Sequence, residues 1–173
     1  MVYKVRTPYL ICMSRLNQCY QATGIPHILK NRKHGGDSVK AFLEVSASKE
    51  NLDQVIGFIS ECLEAVQCPF KQKMQLEVAA EEIFVNIASY AYDSATGRAE
   101  IEFSCEDDAV SITFADRGAA FDPLGKEDPD ISLSAEERKI GGLCIFMVKK
   151  TMDNVTYRRE NDRNILTIIK KIK

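Results

Sequence analysis

Glu82 and Asn86 are the first residues in this chain able to do chemistry together. They stand four apart in the run QKMQLEVAAEEIFVNIASYAY, residues 72–92. Its apolar residues recur at helical spacing, so the two polar side chains lie one turn above each other. A carboxylate beside an amide oxygen suits work on a water or hydroxyl near a divalent metal, because hard cations take oxygen ligands. Glu82 is equally readable as a solvated helix residue. A second acid, Asp116, ends an alternating strand just before Gly118, where it either accepts a hydrogen bond from a ligand amino group or caps a turn. Gly118 would let backbone come close to a flat ligand, and Phe121 would cover that ligand's face or plug the core. Gly141 and Gly142 open an apolar helix, LCIFMVKKTM. Free amides and the helix dipole at such a start favour an anion, with phosphate the natural guest.

The elements that must position these residues follow from their periods. Val78, Ala79, Ile83, Ile87 and Tyr90 make the expected apolar stripe of the 72–92 helix. Ala41, Leu43, Val45 and Ala47 alternate with mostly polar residues as a strand with one buried face, broken on the polar side by Phe42. Ser48 is a weak N-cap for a helix carried by Leu52, Val55, Ile56, Ile59 and Leu63, which stops at Cys68-Pro69. Ile101, Phe103 and Cys105, then Val110, Ile112 and Phe114 after an acidic turn, predict a hairpin. From Asp116 to about Ile140 the chain is polar with little pattern, either disordered or a functional lid. Strands over 155–160 and 163–171, joined by Asn161-Asp162, close the order. That order predicts an α+β fold, a two-layer sandwich in which a mixed, largely antiparallel sheet carries helices on one face.

The totals narrow the class. A chain of 173 residues supports one domain with a real core. Its net charge of −2, with acids and bases interspersed, leaves no basic stripe for nucleic acid. Six cysteines without CxxC spacing read as reduced core thiols of a cytosolic protein, although an even number also permits a disulfide framework. His27 and His34 alone offer little to zinc or to histidine catalysis. No run has the length of a membrane span, so a soluble, cytoplasmic protein is expected. Residues 1–38 lack a period and include the basic, turn-rich HILKNRKHGGDS. They are read either as a translated leader, with Gly35-Gly36-Asp37 encoded by a ribosome-binding sequence and the natural start at Val39, or as a loosely ordered arm. The domain proper is expected over 39–173.

The succession of motifs resembles a known family. EEIFVN is similar to the N box, DRGAAF to the first glycine box and GGLCIF to the second glycine box of the GHKL (Bergerat-type) ATP-binding fold of histidine kinases, type II topoisomerases and mismatch-repair ATPases. AFDPL, the SAEER approach to IGGL, the VKK-x-MD helix end and the YRRENDRNILTI tail look like the bacterial anti-sigma-factor serine-protein kinases, the RsbW-like group. The resemblance implies ATP and Mg2+ as cofactors, with Glu82 as general base toward a serine hydroxyl and Asn86 as the magnesium ligand. It further implies Asp116 and Gly118 at the adenine, Phe121 nearby, Arg138 at the hinge of a lid, and Gly141, Gly142, Leu143 and Cys144 at the phosphates. Thr167 would supply a hydroxyl near adenine. The implied partners are an anti-anti-sigma (STAS-type) protein and a sigma factor, with a homodimer as the assembly. Ala120 replaces a frequent glycine and Tyr90 a frequent histidine. Cys144 interrupts the usual Gly-Leu-Gly, which costs on the order of 1 kcal/mol or more if that position needs a positive φ. Two activities are therefore in play: a protein-serine kinase, and a nucleotide-holding partner-switch module without useful turnover.

Overall fold

The computed structural model describes residues 27–33, 36–92, 97–125 and 143–173. Hairpins build its sheet. Strands β1 (His27–Lys33) and β2 (Gly36–Ser46) pair first. Strands β3 (Arg98–Glu106) and β4 (Ala109–Asp116) form the second hairpin, and β5 (Asn154–Glu160) and β6 (Arg163–Lys171) the third. The turn residues Asp107 and Asp108 have φ of 50° and 60°, and Asn161 and Asp162 have 51° and 58°. Both are two-residue left-handed turns, the kind whose twist matches a hairpin and which Asp and Asn tolerate better than most residues. The strand order is β1-β2-β3-β4-β6-β5. Every described pairing is antiparallel, so the expected admixture of parallel strands does not occur among them.

Strand β1 lies in the stretch that reads as a tail without a period. An edge strand needs only its backbone groups paired, and side-chain alternation does not report that.

A 3-10 turn (Lys49–Asn51) leads into α1 (Leu52–Ala65), followed by α2 (Phe70–Tyr90) and α3 (Leu143–Thr151). Ser48 makes no capping bond with its side chain. Instead Asn51 Nδ2 donates to the Ser46 carbonyl at 3.0 Å, tying the helix entry to the end of β2. Val55, Phe58, Ile59, Cys62 and Leu63 of α1 and Leu76, Ala79, Ala80, Ile83 and Phe84 of α2 share one buried core with the inward residues of the sheet. The apolar stripe of α2 thus runs through Leu76, Ala80 and Phe84, whereas Val78 is 52% and Tyr90 76% exposed. Val78 stands about 200° of helical rotation from Ala80, on the solvent side of a helix whose buried arc is set by the sheet and α1. Cys62, Cys68 and Cys105 are free thiols. Burial pushes the Cys62 thiol up to about 12, which makes it a core residue and not a nucleophile. Among the described residues no helix is long and apolar enough to cross a membrane.

On the helix side the pairing aligns residues in rows. Ala41, Phe103, Ile112 and Ile168 make one row, and Leu43, Ile101, Phe114 and Leu166 the next. The following row begins apolar with Val45 and Ala99, then turns polar at Asp116, Asn164 and Arg159. That change of character, at the ends of β4 and β5 and the start of β6, is where the site lies.

Candidate functional site

Asp116 and Asn164 are both 7% exposed, two of the few polar residues within the core. Burying polar groups at this depth is tolerable only when they are hydrogen-bonded, and here the accounting closes on Asn164. Its Nδ2 donates to Asp116 Oδ1 and to the Ala119 carbonyl, each at 2.9 Å. Its Oδ1 accepts from the Tyr157 hydroxyl and from an Arg159 guanidinium N–H, again at 2.9 Å. Donors face one end of the amide and acceptors the other, so only one orientation satisfies the network. Arg159 also reaches the Gly118 carbonyl at 3.3 Å.

Asp116 Oδ1 takes a second bond, from the Gly118 amide at 2.8 Å. Among the described residues both bonds fall on Oδ1, and Asp116 lines a cavity of about 190 Å³. Its Oδ2 is left to accept from a donor entering that space. The cavity walls are otherwise mainly apolar: Ile83 and Ile87 from α2, Phe114 and Leu166 from the sheet, Ile145 from α3, and Phe121 at the rim. Asn86 adds an amide from α2. A mostly apolar cavity with a hydrogen-bonded carboxylate in its wall suits a heteroaromatic ring that carries an exocyclic amino group.

Packing also requires a glycine at position 118. A Cβ there would lie 2.2 Å from the Ala91 carbonyl oxygen and 2.6 Å from the Ala91 Cβ. The next residue, Ala119, donates its amide to that same carbonyl at 2.9 Å. Glycine therefore lets the loop press against the end of α2, which holds the α2 wall of the cavity against the Asp116 wall. Tyr92 makes a second tie at the same place, donating its hydroxyl to the Arg98 carbonyl and accepting from the Arg117 amide, both at 2.9 Å.

The expected site residues divide into groups. Asn86, Asp116 and Phe121 line one cavity, and Gly118 stands directly behind it. Glu82 is half-buried on α2, one turn before Asn86, and is not in the cavity wall. Leu143 and Cys144 begin α3. Arg138, Gly141 and Gly142 lie outside the described residues. Thr167 belongs to the opposite face of the sheet. It pairs with Thr113, hydroxyl to hydroxyl at 2.9 Å, while its neighbours Leu166 and Ile168 face the helices. One residue of strand parity separates the two faces, so Thr167 is not placed to reach the cavity. Asn164, Tyr157 and Arg159 were missed. The signal for Asn164 was its even step from Leu166 and Ile168, an apolar pair that had to face the core.

Residues 45–170 match the histidine kinase-like ATPase domain family, most of the chain. The chain belongs to that family. Within it, the chain is similar to the serine-protein kinase RsbW of Oceanobacillus iheyensis, at 32% identity over 46% of this chain and 54% of that protein. It is similar to the serine/threonine-protein kinase BtrW of Bordetella bronchiseptica at 28% identity, over 56% of this chain and 68% of that one. The RsbW of Staphylococcus aureus matches at 25% identity over 69% of this chain and 79% of its own length. The chain thus spans about half the length of the first of these relatives.

Proposed function

We propose that this domain binds ATP with Mg2+ and transfers the γ-phosphoryl group to a serine of an anti-anti-sigma (STAS-type) protein, and that it sequesters a sigma factor when that partner is absent. The observation that carries the reading is the geometry of one cavity. A buried carboxylate with one oxygen unengaged and the Asn86 amide of α2 line the same mainly apolar cavity. Asp116 Oδ2 would accept from the adenine amino group while Ile83, Ile87, Phe114 and Leu166 cover the ring. Among the described residues no cluster of three or more His, Cys, Asp or Glu is placed to hold a metal. Magnesium would be held by the Asn86 amide oxygen together with phosphates of the nucleotide, since hard cations take oxygen ligands. When bound, it would neutralise charge developing on the phosphates. Glu82, one turn along α2, would take the serine proton as the serine oxygen bonds to the γ-phosphorus and ADP departs. The protein would work in the cytoplasm as a homodimer.

The test is phosphotransfer by the purified protein to the STAS-type protein encoded nearest its gene. Glu82→Ala should keep ATP affinity and lose transfer. Cys144 favours a second reading, a module that holds nucleotide without turnover. Silence of the wild type combined with activity of Cys144→Gly would establish that alternative.

A further inference from the structure

Helix α2 carries a ridge whose first three members nucleotide binding does not use. Phe70, Met74, Val78, Glu82 and Asn86 follow one another at a spacing of four, and residues at that spacing form a continuous ridge along a helix. The first three are large, apolar and exposed, at 78%, 44% and 52%. Each step along the ridge advances about 6 Å, so Val78 stands about 6 Å and Met74 about 12 Å from the level of Glu82. Three exposed anchors in line with an acid are more than the scattered apolar residues of an ordinary surface.

The two flanks of the ridge differ. On one, Lys73 is consumed by Glu64 at 2.7 Å and Glu77 at 3.8 Å. On the other, a polar notch of about 430 Å³ is lined by Lys71, Gln72, Gln75, Asp153, Lys170 and Lys171. Lys170 is held by the Thr151 carbonyl at 2.7 Å and by Asp153 at 3.2 Å. The exposed ammonium groups of Lys71 and Lys171 have no ion pair among the described residues. Three lysines against one aspartate make this notch positive in a chain whose net charge is −2.

We infer that the Phe70–Met74–Val78 ridge is the docking surface for the phosphoacceptor protein, which meets it with an apolar patch bordered by acidic groups on the Lys71–Lys171 side. The inference rests on the kinase reading for the identity of the occupant. The argument for that occupant is continuity: anchors seated along this ridge deliver a hydroxyl to the ridge's next member, Glu82. Charge complementarity at the notch then selects the partner's sign and orientation.

Met74→Glu and Val78→Glu, singly and together, test this in the full chain with the same STAS-type protein as probe. The side chains are exposed, so folding and ATP affinity should hold. The double variant should raise KM for the acceptor at least tenfold with kcat unchanged, and weaken calorimetric binding of the acceptor to the ADP-loaded protein by the same factor. Lys171→Glu should also weaken binding and flatten its salt dependence. Unchanged KM and binding in the double variant would overturn the inference, as would a wild type that does not bind the probe. A shift from dimer to monomer on sedimentation of the variants alone would also overturn it, since the ridge would then seat a second copy. A wild type that binds the acceptor through the ridge yet transfers no phosphate would defeat the kinase reading and leave the docking surface supported.

Discussion

At one end of the sheet the same strands carry polar groups on both faces, and the two faces handle them differently. Toward the helices lie Asp116, Asn164 and Arg159; away from them lie Glu44, Glu100 and Arg158. On the outer face each charge finds a mobile, opposite neighbour: Arg98 pairs with Glu44, Arg163 with Glu100 and Arg158 with Glu160. Such pairs are part-exposed and individually worth little. On the inner face Asp116 and Asn164 are buried, so each of their bonds must be made or its loss is felt in full; only Arg159, at the rim, is part-exposed and also pairs with Asp162. The paired charges on the outer face are part-exposed. On the inner face charge is preorganised, and only there does an oxygen of a buried carboxylate remain for a guest.

Breaking the inner network should therefore have the largest effects. Asp116→Ala removes the acceptor for the base, and loss of a charged hydrogen bond costs about 1.5–3 kcal/mol. Nucleotide affinity, measured by titration calorimetry, should fall roughly tenfold to more than a hundredfold. Asn164→Ala removes one hydrogen-bond partner each from Asp116, Tyr157 and Arg159. Denaturant unfolding should show a loss of about 1–3 kcal/mol, accompanied by weaker nucleotide binding because Asp116 is no longer held. Gly118→Ala should cost about 1–3 kcal/mol of strain, since its methyl meets backbone at Ala91 and nothing there is a flexible side-chain end. If Asn164→Ala proved no worse than an outer-face truncation such as Glu44→Ala, the contrast between the faces would fail.

The outer face can be sharpened by pH. Burial, and then the nearby Glu100 carboxylate, raise the pKa of Glu102. The folded state thus holds this proton more tightly than the unfolded one. Stability must fall as pH rises from the ordinary carboxylate value through the raised one. Glu102→Gln should stabilise the protein at neutral pH, and the gain should vanish below the ordinary carboxylate range. A melting series in matched buffers reads both arms.

How much of this was legible depended on whether a residue's role was local. The α1 and α2 helices, the 98–116 hairpin and its turn are local patterns, and periods of 3.6 and 2 reveal them. Asn86 was singled out by its four-residue step from Glu82 on a helical period, and Asp116 by its place at a strand end just before Gly118. The Asn164 hub was not, because its meaning comes from pairing with β4, a strand more than forty residues earlier. Nor was the close approach of Gly118 to Ala91 across a turn. Strand β1 was hidden for a third reason, since its pairing with β2 is a backbone matter.

Thr167 tests that lesson at its smallest scale. The family resemblance points it at the adenine, whereas the register puts its hydroxyl against Thr113 on the outer face. Thr167→Val keeps the shape and deletes one cross-strand hydrogen bond, a pair worth about 0.2–1 kcal/mol. Unfolding should register that small loss, and nucleotide affinity should stay within about twofold, since RT ln 2 is only about 0.4 kcal/mol. A tenfold drop in affinity would mean that the hydroxyl reaches the ligand after all. That would require β6 to slip by one residue against β4, exchanging Asn164 and Ile165 between faces. A slip of that kind would expose Leu166 and Ile168 as well. The cost of exposing them would be drawn from the binding free energy, so the slipped register would show as weak nucleotide affinity in the wild type itself.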